Sequence, residues 1–147
     1  MNKLFKTLFF VLIIAGITSC KTSTEIKNEK FDLEIDLFLA YGINYSTDGS
    51  TAYITYEGDD AVSIWKNNTA WTLEEIKESE INSYTTLVSE ETFDNGYGAV
   101  FEDDSDGEYF EYVIEIDGDL YECSALYYGL PVSGLIDCLK SMRKASE

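Results

Sequence analysis

From Tyr109 to Ile116 the chain alternates, placing Phe110, Tyr112, Ile114 and Ile116 on one side. A period of two marks a half-buried strand. Asp117-Gly118 comes next, a pair suited to a two-residue hairpin turn. Such a turn sets the register of the following strand: Ile116 faces Asp119, Ile114 faces Tyr121, and Tyr112 faces Cys123. Cys123 then shares the apolar face. Phe31 to Leu37, FDLEIDL, alternates as strictly and predicts another strand, with a helix beginning near Asp36 as the alternative. After the Asp48-Gly49 turn, Ala52 to Tyr56 is rich in β-formers. Glu57-Gly58-Asp59-Asp60 separates it from a strand over Ala61 to Lys66. Tyr84 to Val88 and Tyr97 to Phe101 are expected as short strands.

Two segments read as helices. Thr72-Leu73-Glu74-Glu75 has capping-box spacing and predicts a short helix to about Ser79. Pro131-Val132-Ser133 opens the other, with Ser133 as the candidate cap and Asp137 toward the positive end. Leu135, Cys138, Leu139 and Met142 share one stripe, while Lys140, Arg143 and Lys144 favour the negative end. No internal repeat is evident. The expected fold is α+β, a mainly antiparallel sheet with a C-terminal helix packed on one face.

The first twenty residues carry a different pattern. Lys3 and Lys6 precede an unbroken apolar run from Leu8 to Ala15, and small residues then lead to Cys20. That run is too short to span a bilayer, which takes about 20 residues, but it suits a secretory signal. Ile17-Thr18-Ser19-Cys20 resembles the lipobox of bacterial lipoproteins. The resemblance implies diacylation of Cys20, cleavage before it, and acylation of the new amino terminus. The alternatives are an ordinary signal peptide with a chance cysteine, or an uncut anchor. Under the lipoprotein reading, residues 1–19 are the signal peptide, 20–30 the lipidated terminus and polar tether, and 31–147 one acidic domain. Position two of the mature chain is Lys21 rather than aspartate, which by resemblance to known sorting rules favours the outer membrane, with the leaflet open.

Composition sharpens the picture. The chain holds 28 Asp and Glu against 10 Lys and Arg, for a net charge of −18. Loss of Lys3 and Lys6 with the leader takes the basic residues from 10 to 8 and the net charge from −18 to −20. Between Glu78 and Leu139 there is no Lys or Arg at all. Such a field repels nucleic acid and draws cationic partners or divalent ions, although solubility alone would also explain it. With 45% hydrophobic residues, 11 Tyr and 8 Phe, disorder is not expected.

Cys20 aside, two cysteines remain, and a helix laid on the sheet could bring Cys138 to Cys123 as a disulfide. Two separate buried thiols are the alternative. Both readings are structural, and neither cysteine is a nucleophile candidate.

Three groups of residues could carry chemistry. Glu102, Asp103, Asp104, Asp106 and Glu108 form an acidic run around Gly107. Against a calcium loop of the EF-hand kind, position twelve would be Val113, where a bidentate carboxylate is needed. Asp106-Gly107 reads instead as a hairpin turn, so no metal site is assigned. Carboxylate-pair catalysis would need two acids in contrasting environments within a cleft, which sequence does not reveal. The chain has no histidine, which removes Ser-His, Cys-His and His-ligated zinc mechanisms. No nucleotide-binding or nucleophile-elbow motif occurs. An enzyme is therefore not expected, and no cofactor is implied. The last group is aromatic: Trp65 and Trp71 flank Lys66 to Ala70, and Tyr127-Tyr128 precedes the second helix. These are core residues or an exposed binding surface.

Two functional classes follow. One is a lipid-anchored envelope protein that binds a basic partner: a small, acidic, lipid-anchored domain resembles in general type the immunity or inhibitor lipoproteins that neutralise a toxin or hydrolase. Its candidate surface is Glu102, Asp103, Asp104, Asp106 and Glu108 with Trp65 or Trp71. The alternative is a structural or accessory envelope lipoprotein serving assembly, adhesion or glycan capture.

Overall fold

The structure, a computed structural model, describes residues 19–27, 29–36, 41–45, 48–126 and 128–145. Residues 1–18, Leu37 and Tyr127 lie outside the described residues, as do residues 37–40, where the alternative helix beginning near Asp36 would run.

Among the described residues, ten strands and two helices follow one another. They are β1 (Ser19–Ile26), β2 (Glu29–Asp36), β3 (Tyr41–Tyr45), β4 (Thr51–Tyr56) and β5 (Asp59–Lys66). Then come α1 (Leu73–Glu80), β6 (Thr85–Phe93), β7 (Gly96–Asp103), β8 (Gly107–Ile116), β9 (Asp119–Ala125), α2 (Val132–Lys140) and β10 (Arg143–Lys144). Seven strands form one antiparallel sheet in the order β3-β4-β5-β9-β8-β7-β6, and β1-β2-β10 form a second. The described residues form mostly antiparallel sheet with two helices, one of them C-terminal. The fold is more sheet-dominated than the α+β expectation.

The β8–β9 hairpin has the expected register, with Tyr112 opposite Cys123 and Ile116 opposite Asp119. Asp117 at φ 54° and Gly118 at φ 86° take the two left-handed positions of a type I′ turn. Glu57-Gly58 makes a second such turn, between β4 and β5. Asp106-Gly107 does lie in a hairpin connection, since Glu102 pairs with Glu108 and Asp103 with Gly107. Opposite Tyr112 on β7 stands Gly98, where a Cβ would meet the Tyr112 ring at 2.3 Å. Only glycine lets that ring lie across the neighbouring strand.

One face of the large sheet carries the main core. Ile54, Ile64, Phe110, Tyr112, Ile114, Tyr121 and Cys123 meet Leu135, Cys138 and Leu139 of α2, with Met142 just beyond the helix. Ile26, Phe31 and Leu33 of the small sheet complete this core. The stripe expected on α2 is thus the buried one. Its N-cap is Pro131 without a side-chain cap, so Ser133 lies inside the helix rather than capping it. The other face holds a smaller core of Ile76, Ala99, Phe101 and Val113 beneath α1. The Thr72 and Glu75 capping box is present in full.

The segment expected as a polar tether folds differently. Lys21 to Ile26 lies in β1 and pairs along β2, with Thr24 and Ile26 turned inward and buried. The consecutive Thr22, Ser23 and Thr24 tolerate extended backbone, and Ile26 supplies the apolar contact that holds the strand. β10 pairs with the other edge of β2, so residues near both ends of the chain meet on one strand.

Candidate functional site

The residues between the core positions build the second face of the large sheet. On β8 they are Tyr109, Glu111 and Val113; on β9, Leu120, Glu122 and Ser124; on β5, Ser63 and Trp65. Strand register arranges them in rows. Ser63 faces Ser124, which faces Glu111, and Trp65 faces Glu122, which faces Val113.

α1 covers only part of this face. Two tyrosine hydroxyls pin its ends: Tyr97 donates to the Trp71 carbonyl at 2.9 Å, and Tyr109 donates to Glu80 at 2.8 Å. Trp71, immediately before the cap, is held beside the sheet with 51% of its surface exposed. A cleft of about 380 Å³ opens here, lined by Trp65, Trp71, Glu80, Glu111, Glu122 and Ser124, with Ile76 and Val113 beneath. The tryptophans singled out in sequence therefore share one site.

Glu111 is the unusual group in it. Burial pushes its carboxyl up to about 7; the Ser124 hydroxyl opposes that shift, while the charges of Glu80 and Glu122 add to it. The rise makes physical sense, because a desolvated carboxylate facing two more is costly to ionise. Lys66 points elsewhere, to Asp119 at 2.6 Å and Glu29 at 3.0 Å. Lys77, on α1, pairs with Glu74 and Glu90. Among the described residues, no Lys or Arg forms an ion pair with Glu80, Glu111 or Glu122, and none lines the cleft.

A second hollow of about 390 Å³ lies on the opposite face, between α2 and β6. It is lined by Glu91, Glu108, Tyr112, Asp137 and Lys140. Here the chain supplies its own cation. Lys140 bonds Glu91 at 2.6 Å and sits 5.3 Å from the centre of the Phe93 ring. Tyr112 donates to the same carboxylate at 2.7 Å, and the two contacts lower the Glu91 pKa.

The acidic run and the tryptophans do not form one patch. Glu102, Asp103, Asp104 and Asp106 line neither hollow, and Glu108 belongs to the second. They occupy strand ends and a turn, where the Ser105 amide donates to Asp103 at 2.9 Å. The carboxylates that do accompany the tryptophans are Glu80, Glu111 and Glu122. Sequence carries a signal for Glu111 alone: Tyr109, Glu111 and Val113 alternate on a strand whose second face also carries large residues, so an acid there is enclosed.

Cys123 and Cys138 sit in the same core cluster, yet both are free thiols rather than the expected disulfide. The Cys123 thiol donates weakly to the Tyr121 carbonyl at 3.7 Å. Burial pushes the Cys123 pKa up, and that of Cys138 to about 12, which leaves both as core-filling thiols. Of Tyr127 and Tyr128, the latter is described: its ring meets Tyr109 edge-on at 5.1 Å, away from the cleft lining. Comparison with protein-family models, curated proteins and solved structures finds no match to this chain.

Proposed function

We propose that this chain is an envelope protein, lipid-anchored through Cys20, that acts by binding a basic protein partner as immunity and inhibitor lipoproteins do. The observation that carries the reading is the cleft, where three carboxylates and two tryptophans meet without a basic residue among the described lining. Its charge attracts a cationic surface, and an exposed tryptophan beside it supplies the large apolar contact typical of interface anchors. The surface moves accordingly, from the acidic run around Gly107 to the Trp65 and Trp71 cleft. With acyl chains on Cys20, the membrane would join the domain directly at β1, without a loose tether. No catalytic role is assigned.

The test is affinity capture from envelope extracts of the producing cells, with the parent and Trp71→Ala side by side. One basic protein recovered by the parent, lost with Trp71→Ala and released by moderate salt, supports the reading. Recovery of no basic protein at low salt rejects it.

Glycan capture is the second reading, favoured by the half-exposed Trp71 ring, which could stack on a sugar. It predicts saturable polysaccharide binding that depends on Trp65 or Trp71 and changes little with salt.

A further inference from the structure

The geometry points to the Trp65 and Trp71 cleft as a receptor for a single guanidinium group, an arginine side chain presented by the partner and closed onto Glu111. The inference rests on the proposed protein-binding function and narrows it to one chemical group.

Three observations converge. First, the cleft combines aromatic faces with carboxylates, the pairing that recognises organic cations. Second, the protein already contains such an arrangement with the cation in place. At the hollow on the opposite face, Lys140 bonds the Glu91 carboxylate and sits 5.3 Å from the centre of the Phe93 ring. The tryptophan cleft repeats those elements with Glu111, Glu122 and Glu80, and its described lining includes no Lys or Arg. Third, the carboxylates are spread over β8, β9 and the end of α1, and among the described residues no three acids gather as a metal-binding set. An extended planar cation fits that spacing better than a spherical ion. Guanidinium is planar, stacks on indole and bonds carboxylates through a fork of donors, whereas ammonium is a compact, strongly hydrated charge.

Binding is coupled to one proton. Around Glu111 in the cleft stand Glu122 and Ser124 from β9, Glu80 and Ser79 from α1, and Trp65 from β5, and Ala99 pairs with it on β7. Near pH 7 the Glu111 carboxyl is partly protonated. A cation in contact favours the ionised form, so arrival of guanidinium expels that proton and affinity rises as pH increases from 6 to 8.

The test titrates the full domain with N-acetyl-arginine amide, following tryptophan fluorescence, with the uncharged isostere N-acetyl-citrulline amide alongside. The expected result is saturable binding of the arginine probe, weaker by about tenfold or more for citrulline. Glu111→Gln and Trp71→Ala should each weaken arginine binding while the thermal unfolding midpoint shows the fold intact. Glu111→Gln should also flatten the pH dependence. Equal binding of citrulline, no saturation by arginine, or unchanged affinity in both folded variants overturns the inference, and tighter binding of N-acetyl-lysine amide overturns its choice of guanidinium. Arginine binding without a basic partner from cells would leave the receptor standing and remove the protein-binding function. A basic partner held equally by parent and both variants would do the reverse.

Discussion

Ser124 donates its hydroxyl to Glu111 across the β8–β9 register, giving the enclosed carboxylate of the cleft a hydrogen-bond partner within the sheet. The bond favours the ionised form and burial opposes it. Burial wins, because the folded pKa is raised from 4.5 to about 7.

That balance has a stability consequence with a definite sign. Below pH 4.5 Glu111 is protonated in folded and unfolded chains alike and contributes no penalty. Between 4.5 and 7 the unfolded chain loses this proton first, so stability falls as pH rises. Above 7 the penalty is constant, at most about 3 kcal/mol from the size of the shift. Glu111→Gln is therefore expected to unfold at higher urea concentration than the parent at pH 8, with the difference vanishing near pH 4. Urea unfolding at both pH values measures this; an equal difference at pH 4 and pH 8 would contradict it.

The two tyrosine contacts at the ends of α1 should be unequal. Tyr109 donates to a carboxylate, whereas Tyr97 donates to a peptide carbonyl. Hydrogen bonds to charged groups contribute about 1.5–3 kcal/mol and neutral ones about 0.5–1.5. Tyr109→Phe is expected to cost more stability than Tyr97→Phe, and to loosen the Glu80 end of the helix. Chemical denaturation ranks the two, and amide hydrogen exchange along α1 locates the loosening.

Free, buried thiols make a third expectation. Cys123 is fully enclosed and Cys138 nearly so, and both are poor thiolates at neutral pH. In the reduced folded protein both should resist a soluble thiol reagent, then react fully once urea unfolds the chain. Rapid labelling of either thiol under native conditions would show that the helix and sheet separate there.

What sequence revealed depended on the range of the interaction. The β8–β9 register was legible to the residue because alternation and an Asp-Gly turn are local. So was the α1 capping box, which involves only Thr72 and Glu75. The cleft was half legible: Trp65 and Trp71 are six positions apart, and their grouping follows from the short connection between β5 and α1. Their companions were not. Glu80, Glu111 and Glu122 come from three elements, and only strand order and the placing of α1 bring them together. The acidic run around Gly107 drew attention by local density, yet its side chains flank a turn and do not converge.

β1 shows the same limit from the opposite side, and it yields the last expectation. Lys21 to Lys30 is polar enough to read as a tether, because its pairing partners are unseen locally. In the folded chain Ile26 is wholly buried beside Phe31 and Leu33, while Glu25, paired with Lys30, is exposed. Removing a buried isoleucine side chain typically costs about 2–5 kcal/mol, because apolar contact is lost and a cavity remains. An exposed surface substitution usually stays within about 0.5 kcal/mol. Ile26→Ala should therefore lower the stability of the whole domain by about 2 kcal/mol or more, with Glu25→Ala close to neutral. Denaturant unfolding of the two variants distinguishes strand from tether: a free tether would leave both unchanged, whereas a strand makes only Ile26 count.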